Sequence, residues 1–437
     1  MRQQVSSWGR LSSALHETTW LQDRTSAADR ISQTILPGIA IGNARSYGDV
    51  CLNNGGTAWR TRRLDKFISF DPASGLLECE AGVTLKEITD LVLPQGWFLP
   101  VTPGTQYVTV GGAIANDVHG KNHHSRGSFG DHVTGLTLLR TDGETIACGP
   151  SSNAEWFRAT VGGMGLTGIV ADAGLQLRRV NGPWVDSQVD IFESLEQFFE
   201  LSRTQGASWE YTVAWIDCMA MPGGRARGVF FSGRHSDRTA PVPVPKARSA
   251  AWLPPVCVVT TRTSSLFNAL YFRRHRQGVQ RATQPYWAFF YPLDAISEWN
   301  RMYGPSGFYQ YQCVVPEQGQ LETVRALLEV IKASGAGSFL SVLKTFGARP
   351  PAGLMSFPMA GTTLALDFPN KGEESTRLFA RLNALVAEAG GRLYPAKDAV
   401  MSAVMFCNGY PQAEQFRRYR DPGIESDMSR RLFAGRQ

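Results

Sequence analysis

One loop of the chain has the composition of an anion-binding site. The segment Gly42-Asn43-Ala44-Arg45-Ser46-Tyr47-Gly48-Asp49 mixes glycine with small polar residues and follows the apolar stretch 35–41. Such a loop can turn its backbone N–H groups inward and so surround an anion. Arg45 would add charge-assisted hydrogen bonds to a phosphate. We interpret the segment as a phosphate-binding loop, with an ordinary turn as the alternative.

A second glycine-rich segment, residues 103–124, carries three histidines within six residues. Seven glycines lie between residues 104 and 135, and this density lets backbone approach a flat or charged ligand where a Cβ atom would clash. His119 and His123 stand at i, i+4, which suits a metal site, but Lys121 lies between them and no matching acidic or cysteine cluster is evident. We therefore expect His119 to face a bound cofactor, the other histidines to make structural hydrogen bonds, and no metal to bind.

A third glycine cluster, residues 163–168, matches the GxGxxG pattern of dinucleotide-binding folds. Those folds place a strand before the glycines and a helix after them, because the helix N-terminus binds the pyrophosphate. Here a helical stretch, 153–160, precedes the glycines and an alternating stretch, 169–177, follows them. The pattern therefore predicts close packing of a helix onto a strand near some ligand, and not a dinucleotide-binding fold.

The elements that must position these loops form a mixed pattern. A strand-like stretch, 76–83, leads into Thr84 and Glu87, whose spacing predicts a capping box at the start of a helix. Asp142-Gly143 separates two apolar stretches and predicts a hairpin. Helical and strand-like patterns thus alternate around the glycine loops.

The composition changes after about residue 185. From there to about residue 390, longer strands alternate with amphipathic helices such as 321–333. Five prolines between 236 and 255 predict an extended loop within this part. The tail from 390 to 437 returns to motif-like sequence and ends in a basic helical segment.

Charge and cysteine content exclude several classes of protein. The 437 residues carry 44 Lys and Arg against 38 Asp and Glu, a net charge of +6. The basic residues are mostly scattered, whereas nucleic-acid-binding domains concentrate theirs, so no nucleic acid is expected as a partner. Seven cysteines without CxxC spacing argue against a disulfide framework and a zinc knuckle, and they fit a reducing compartment. The sequence has neither an apolar run long enough for a transmembrane helix nor a secretory signal, and it predicts a cytoplasmic protein.

Residues 266–281 join apolar side chains to a basic cluster, Phe272-Arg273-Arg274-His275-Arg276, with Arg281 nearby. An apolar run beside arginines can dock a lipid phosphate or a membrane surface. This segment predicts peripheral contact with the inner face of the membrane. The alternative is an amphipathic helix with a solvated basic face.

The two glycine loops together resemble those of the FAD-linked oxidases of the vanillyl-alcohol-oxidase superfamily. The matching segments are GNARSYGD and PGTQYVTVGGAIANDVHGKNHHSRGSFGDHV. Within the superfamily, the chain is most similar to the decaprenylphosphoryl-β-D-ribose oxidase family, the flavoprotein half of a 2'-epimerase. Further matching segments extend the resemblance over nearly the whole chain: WFRATVGGMGLTGIV, FYQYQCVVP, LALDFPNK, GGRLYPAKD and SDMSRRL.

The resemblance implies an α+β fold of two domains with FAD as the cofactor. A PCMH-type FAD-binding domain would comprise residues 1–185 and be completed by 390–437, and a substrate-binding domain with an antiparallel sheet would comprise 186–389. Many relatives in the wider superfamily carry a first-loop histidine that is joined covalently to the flavin. Tyr47 stands at that place here, so the resemblance implies non-covalent FAD.

The resemblance also implies which residues bind. The cofactor-binding residues would be Ala40, Ile41, Gly42, Asn43, Ala44, Arg45, Ser46, Tyr47, Gly48, Asp49, Val50, Gly104, Thr109, Val110, Gly111, Gly112, Asn116, Asp117, Val118, His119, Ile169 and Tyr394. Lys397 matches the family's active-site lysine, Gln310 and Gln312 match its substrate-side glutamines, and Lys121 lies at the same mouth. Mycobacterial members carry a cysteine where this chain has Ala365.

The implied chemistry can be argued from the residue types. Oxidation of a secondary alcohol removes a hydride, which side chains cannot accept and a flavin can. It also removes a proton, which needs a base within hydrogen-bond reach or a cation that stabilises the alkoxide. Lys397, desolvated against the flavin, can serve as either, and His119 is the second candidate for the base. Without the resemblance, Lys397 would be interpreted as a solvated surface lysine.

The resemblance implies oxidation of the 2'-hydroxyl of a polyprenyl-phosphoryl-β-D-ribofuranose to the 2'-keto sugar. This is the first half of an epimerisation to the arabinofuranose donor, and a separate NADH-dependent short-chain reductase would complete it. The nearest alternative is a soluble aldonolactone or sugar-alcohol oxidase on the same fold. A non-catalytic flavin- or nucleic-acid-binding protein is an alternative from another class.

Overall fold

The computed structural model describes residues 1–220, 225–245, 248–249, 254–276 and 278–433. Within them the strands are β1 (Arg2–Ser6), β2 (Ser13–Trp20), β3 (Gly38–Ile41), β4 (Thr57–Arg60), β5 (Phe67–Asp71), β6 (Leu76–Glu80), β7 (Trp97–Phe98), β8 (Val133–Leu139), β9 (Thr145–Cys148), β10 (Ile169–Gln176), β11 (Arg178–Arg179), β12 (Trp184–Phe192), β13 (Tyr211–Ile216), β14 (Gly228–His235), β15 (Arg248–Ser249), β16 (Gln280–Pro285), β17 (Ile296–Ser297), β18 (Phe308–Pro316), β19 (Ser341–Phe346), β20 (Gly361–Pro369) and β21 (Arg392–Leu393). The α-helices are α1 (Arg24–Ser32), α2 (Leu85–Val92), α3 (Val110–Ala115), α4 (His123–Arg126), α5 (Ala154–Thr160), α6 (Leu195–Ser208), α7 (Thr261–His275), α8 (Tyr286–Phe290), α9 (Gln320–Ser334), α10 (Glu373–Glu388), α11 (Ala403–Gly409), α12 (Ala413–Arg417) and α13 (Asp427–Phe433).

Two small sheets in the N-terminal part carry the glycine loops. One has the strand order β1-β2-β4-β3, in which β2, β4 and β3 run parallel. The other has the order β5-β6-β10-β8-β9 and is antiparallel. The first glycine loop leaves the end of β3, and the GxGxxG cluster runs directly into β10.

The local predictions around these sheets are confirmed. Thr84 accepts from the amide of Glu87, whose carboxylate accepts in turn from the Thr84 amide at 2.8 Å, so α2 begins with a capping box. The preceding strand ends at Glu80, three residues earlier than predicted. Gly143, with φ +91°, turns the chain between β8 and β9. At the GxGxxG cluster a helix precedes and a strand follows, and a Cβ on Gly168 would lie 2.7 Å from Leu138 Cγ.

A larger antiparallel sheet forms the rest of the frame, with the order β16-β12-β14-β13-β19-β20-β18-β21 in the part of the chain that the structure describes. Because side chains alternate along a strand, each strand has a helix-covered face and an open face. On β18, Tyr311 and Cys313 pack into the core, whereas Gln310 and Gln312 face the other way. The open face is therefore free to line a cavity.

Helices α6, α9 and α10 cover the closed face of this sheet. In α9, Val324, Leu327, Leu328 and Ile331 recur at helical spacing and are all fully buried. Gly335, with φ +65°, ends the helix. The predicted helix 321–333 is thus confirmed with one residue added at each end.

The tail contacts both parts of the chain. Its strand β21 pairs with β18 at the edge of the large sheet. Further along, the Gly38 amide donates to Gly423 O, and the Glu425 amide donates to Gly38 O, beside β3. We propose that residues 1–185 together with 390–437 form the FAD-binding domain and that residues 186–389 form the substrate-binding domain.

Two sequence features have a limited description here. Residues 236–245 contain no helix or strand, and the rest of the proline-rich stretch lies largely outside the described residues. No helix among the described residues is long and apolar enough to cross a bilayer.

Candidate active site

A cavity of 860 Å³ lies between the glycine loops and the open face of the large sheet. Residues of the first two glycine loops line one wall. Alternate residues of β18, β19 and β20 line the opposite wall. The segment that carries Lys397 closes the space between the two.

The first loop presents unpaired backbone donors to this cavity. The amides of residues 43–46 donate to no acceptor among the described residues, although the loop is anchored at both ends. Asn43 Nδ2 donates to Tyr107 O at 2.8 Å, and the Trp8 amide donates to Ser46 O at 2.8 Å. Unpaired successive amides are the feature that an anion-binding loop requires.

Two glycines of the first loop are fixed by close backbone approach. A Cβ on Gly42 would lie 2.4 Å from Thr109 Oγ1, so this position joins the first loop to the second. A Cβ on Gly48 would lie 1.7 Å from Asp398 O, in the segment that follows Lys397. The loop therefore packs against two distant segments without any room for a side chain.

The second loop differs, because its amides are already paired. The amides of Val110, Gly111 and Gly112 donate to Val83 O, Ala81 O and Thr109 Oγ1. Gly111 and Gly112 still line the cavity. This loop thus offers a flat surface without side chains, whereas the first loop offers donors.

Lys397 lies between the two walls. Its ammonium nitrogen is 3.8 Å from the centre of the Tyr47 ring, a cation–π contact with a buried aromatic ring. The side chain is half-buried and faces the cavity. Burial lowers the pKa of Lys397 from its usual value, and the carboxylate of Asp367 opposes that shift.

Asp367 is fully buried on β20, directly opposite Gln310 of β18. Gln310 Nε2 donates to its Oδ1 at 2.6 Å, and Oδ2 has no hydrogen-bond partner among the described residues. Burial raises the pKa of Asp367, and Lys397 opposes this shift. A carboxyl and an amine therefore share one desolvated region.

His119 lines the cavity within a ring of aromatic side chains: Phe346, Phe357 and Tyr394. Its Nε2 lies 3.0 Å from Gln312 Nε2, so the amide donates and Nε2 accepts. Its Nδ1 is buried without a partner among the described residues. Burial, with Lys344, His123 and Lys397 nearby, lowers the pKa of His119 well below its usual value, so the imidazole is neutral at pH 7.

Two further lysines line the same cavity. Lys121 donates to Phe289 O at 2.7 Å and to Phe290 O at 3.0 Å, and burial lowers its pKa to about 7. Lys344 donates to Gly120 O at 2.9 Å, and its pKa is also lowered to about 7, by burial and by the two other lysines. The cavity thus brings two further amines near Lys397: Lys121 from the second glycine segment and Lys344 from the sheet.

The other histidines make structural contacts, as predicted. His123 Nδ1 accepts from the Gly347 amide at 3.3 Å. His124 contacts Trp209 O and the Thr212 hydroxyl.

Most of the implied cofactor residues line the cavity, and five do not. These five are Ile41, Gly48, Asp49, Val110 and Asp117. Ile41 and Val110 are fully buried in the core beneath the loops. Asp117 accepts from Ser128 Oγ at 2.7 Å and from the Gly130 amide at 2.8 Å, so its carboxylate holds a neighbouring turn.

The chain matches known flavoproteins. The FAD binding domain family matches residues 25–149. Decaprenylphosphoryl-β-D-ribose oxidase of Mycolicibacterium smegmatis is 37% identical over 416 residues, which cover 90% of this chain and 88% of the relative. The chain belongs to this family of FAD-linked oxidases. It is an FAD-dependent oxidoreductase with the two-domain α+β fold of its family.

Other relatives differ in how much of the chain they match. An uncharacterized protein of Streptomyces coelicolor is 31% identical over 372 residues, 80% of this chain and 100% of that protein. A putative D-arabinono-1,4-lactone oxidase of Neurospora crassa is 29% identical over 138 residues, 31% of this chain and 25% of that protein. The relatives from Mycolicibacterium smegmatis and Streptomyces coelicolor each cover most of this FAD-linked oxidase, and the one from Neurospora crassa covers less than a third.

The residues present fit FAD. The amides of residues 43–46 and the buried Nε of Arg45, which have no partner in the described part of the chain, suit a diphosphate. The Arg45 guanidinium is held 4.1 Å above the Trp8 ring, where burial lowers its pKa. The bare backbone of Gly111 and Gly112 suits a flat ring system.

The sequence interpretation missed Lys344 and Asp367. Lys344 stands at an alternate position of β19, between Val342 and Phe346, and only the pairing of β19 with β20 brings it to the cavity. Lys344 is the one charged residue of the strand SVLKTF, and that was the available signal. Asp367 belongs to the segment LALDFPNK, which carried the family resemblance, but it was not predicted as a site residue. Gln310, which pairs with it across the sheet, was predicted.

Proposed function

We propose that this FAD-linked oxidase oxidises the 2'-hydroxyl of a polyprenyl-phosphoryl-β-D-ribofuranose to the 2'-keto sugar. The observation that carries the proposal is the position of Lys397, desolvated at the junction of the FAD loops and the sheet wall. The relative from Mycolicibacterium smegmatis, whose name gives this sugar, matches along 90% of the chain and therefore across both walls.

FAD, when bound, supplies the acceptor for the hydride. The chain itself must remove the hydroxyl proton. The lowered pKa of Lys397 increases the fraction of neutral amine, whose Nζ can accept that proton. The resulting ammonium lies over the Tyr47 ring and near the Asp367 carboxylate, both of which stabilise positive charge.

His119 is the weaker candidate for the base. Its pKa is far below 7, and Nε2 already accepts a hydrogen bond from Gln312. Gln312 Nε2 also lies 3.2 Å from Thr363 Oγ1, which fixes the amide and thereby the imidazole. We assign His119 to the orientation of sugar and flavin and Lys397 to the proton transfer.

Lys121 and Lys344 suit an anionic substrate, because a bound anion favours their protonated form. A lysine ammonium carries three N–H donors. In that form Lys121, which donates to two backbone carbonyls, keeps one further donor, and Lys344, which donates to one, keeps two. We propose that these donors bind the phosphate of the polyprenyl-phosphoryl sugar.

The alternative, a soluble lactone or sugar-alcohol oxidase, has less support. The lactone oxidase relative matches only 31% of the chain. Most of this chain therefore has no matched residues in the lactone oxidase.

Anaerobic bleaching of the flavin tests the substrate class. The FAD-loaded protein would be mixed with a polyprenyl-phosphoryl ribose, with free ribose, and with aldonolactones. We expect rapid bleaching with the lipid-linked sugar alone. Bleaching by a lactone but not by the lipid-linked sugar would replace the proposal with the lactone oxidase.

Non-covalent attachment of FAD is part of the proposal. Tyr47 is buried beneath Lys397, and burial raises the pKa of its hydroxyl well above the usual value, so it stays protonated. Acid precipitation should release free FAD into the supernatant. Colour that stays with the washed pellet would show a covalent bond.

We further propose that a face around α7 docks on an anionic membrane. Fourteen large apolar side chains are exposed among the described residues, and eight lie between residues 244 and 296: Val244, Val256, Val258, Leu266, Phe267, Leu270, Val279 and Ile296. Arg273, Arg274 and Arg276 are exposed at the end of α7. Tyr271 of the same helix lines the cavity, so this face adjoins the substrate site.

Vesicle sedimentation tests this face. We expect binding to phosphatidylglycerol vesicles at low salt, weaker binding as salt rises, and little binding to phosphatidylcholine. Leu266→Asp should reduce binding, whereas Val404→Asp, an exposed apolar residue of α11, should not. Absence of binding at low salt would assign α7 to a solvated amphipathic helix.

The proposed product is a ketone, which requires a partner to complete an epimerisation. A hydride must return to the opposite face of the carbon, and we propose a separate NADH-dependent short-chain reductase for that step. The chain alone should convert substrate to ketone, and addition of such a reductase with NADH should yield the epimer. Epimer formed by the chain alone would exclude this division.

A further inference from the structure

One arginine of helix α13, Arg431, lies between the first glycine loop and the segment that carries Lys397. Arg431 Nε and Nη2 donate to the two carboxylate oxygens of Asp49, at 3.2 and 2.7 Å. Its Nη1 lies 3.0 Å from Asp398 Oδ2 and donates to Met401 O at 2.5 Å. One guanidinium thus joins two carboxylates that are 349 residues apart in the chain.

Both carboxylates stand next to functional positions. Asp49 ends the first glycine loop, two residues after Tyr47, and Asp398 directly follows Lys397. The Tyr47 amide donates to Ala396 O at 3.1 Å, so the two segments also touch through their backbones. Holding residues 49 and 398 together therefore holds the Lys397 ammonium against the Tyr47 ring.

The three side chains are protected from solvent to different degrees. The side chain of Arg431 is 26% exposed, that of Asp49 14% and that of Asp398 3%. The neighbouring carboxylates raise the pKa of Arg431, so its charge is permanent. A bidentate guanidinium pair of low exposure has defined geometry, unlike the solvated ion pairs of most surfaces.

We propose that Arg431 is a positioning residue for the oxidation, which fixes Lys397 relative to the first FAD loop through Asp398 and Asp49. The proposal rests on the proposed role of Lys397 in proton transfer. It adds that the geometry and the electrostatics of that lysine depend on the last helix of the described chain.

The sign of the electrostatic effect can be derived. The charged and titratable groups that face Lys397 are Asp367, Tyr47, His119 and Lys344. Asp398 follows Lys397 in the chain and holds Arg431. Removing the Arg431 cation leaves Asp49 and Asp398 without their counter-charge. The loss of a nearby cation and the uncovering of two carboxylates each favour the ammonium form of Lys397, so the pH at which flavin reduction is half-maximal should rise.

The test compares Arg431→Met with two reference variants. Arg431→Lys keeps the charge but cannot bind Asp49 bidentately. Arg430→Met removes the preceding arginine, whose partners Glu425 and Asp427 are partly exposed. Affinity of the apo-protein for FAD is measured first, and then the pH dependence of flavin reduction by a polyprenyl-phosphoryl ribose.

We expect Arg431→Met to weaken FAD binding about tenfold, slow flavin reduction, and raise the midpoint pH. Arg431→Lys should restore the midpoint pH but not the full rate, and should serve alone if Arg431→Met does not fold. Arg430→Met should match the wild type. Wild-type FAD affinity and midpoint pH in Arg431→Met, or equal effects in Arg430→Met, would overturn the proposal.

A double variant separates this proposal from the role of Lys397. If Arg431 acts through Lys397, adding Arg431→Met to Lys397→Met should not slow flavin reduction further. A further tenfold loss in the double variant would show that Arg431 acts elsewhere. Full activity of Lys397→Met alone would instead refute the proposed role of Lys397 in proton transfer, and the FAD affinities would still report on the contact of Arg431 with Asp49 and Asp398.

Discussion

On the loop side of the cavity much of the wall is backbone, with a few side chains such as Arg45 and His119, whereas on the sheet side the wall is made of side chains. The loops contribute unpaired amides at 43–46 and bare glycines at 111–112. The sheet contributes alternate residues of β18, β19 and β20, among them Gln312, Lys344 and Thr363. A backbone wall binds the same group in any homologue that keeps its glycines, while a wall of side chains can change its ligand by single substitutions.

This contrast predicts different responses to mutation. A substitution of a glycine in the loop wall should act through steric exclusion and alter cofactor binding. A substitution in the sheet wall should leave FAD bound and alter the reaction. Lys397, between the two walls, should behave as a residue of the reaction.

Replacing Lys397 with Met should have the largest effect. The substitution retains much of the alkyl stem and removes the ammonium, so FAD should stay bound. Loss of a positioned acid–base group typically slows a reaction about 10²- to 10⁴-fold. Stopped-flow flavin bleaching under anaerobic conditions measures this, with the exposed Lys371→Met as a control. A wild-type rate in Lys397→Met would remove this lysine from the mechanism.

Replacing Gly48 with Ala should damage the loop wall. Its Cβ would meet Asp398 O at 1.7 Å, and forced overpacking typically costs about 1–3 kcal/mol. We expect lower thermal stability and weaker FAD binding. Gly206 of α6 is the matched control, because it lies outside the cavity lining and an added Cβ there would come no closer than 3.6 Å to His124 Cδ2, an ordinary van der Waals contact. Equal effects of the two substitutions would mean that backbone approach does not determine the fit.

The pH dependence of flavin reduction should show whether Lys397 acts as the base. A base must be deprotonated, so flavin reduction should rise with pH through the pKa of Lys397 and then level off. Below the midpoint the rate should fall about tenfold per pH unit. Burial lowers that pKa, so the midpoint should lie well below the ordinary lysine value of about 10.4. A rate that falls with rising pH would require the ammonium, as an alkoxide partner, instead of the amine.

Replacing His119 with Ala should have the smallest effect, about tenfold or less on flavin reduction. The neutral imidazole hydrogen bonds to Gln312 and makes no charged contact that the reaction would lose. His124→Ala, outside the cavity, is the control. A loss as large as that of Lys397→Met would make His119 the base.

The same contrast explains what the sequence could predict. The loop wall is built from contiguous residues, so it can be identified from the sequence segments GNARSYGD and 103–124. The capping box at Thr84 and the hairpin at Gly143 are likewise local, and both are confirmed. The conformation of a glycine loop is determined mainly by neighbouring residues in the sequence, so such segments can be predicted from the sequence.

The sheet wall depends on pairing between strands that are far apart in sequence. Gln310 and Asp367 face each other only because β18 and β20 pair in one register, and a shift of either strand by one residue would place the two side chains on opposite faces of the sheet. Gln310 was identified through its resemblance to family members, and Asp367 was not. Lys121 was assigned to substrate, yet two of its donors hold backbone carbonyls at 289 and 290, a contact no local pattern predicts.

The arrangement of the tail has a consequence for how the protein is made. Chains emerge from the ribosome N-terminus first, and the first glycine loop is complete long before residue 431 is synthesised. The partners of Gly38 at 423 and 425, and of Asp49 at 431, arrive last. A product that terminates before residue 431 would contain the whole first glycine loop but would lack the Arg431 contact with Asp49. We therefore expect retention of the yellow FAD to indicate that translation continued through α13.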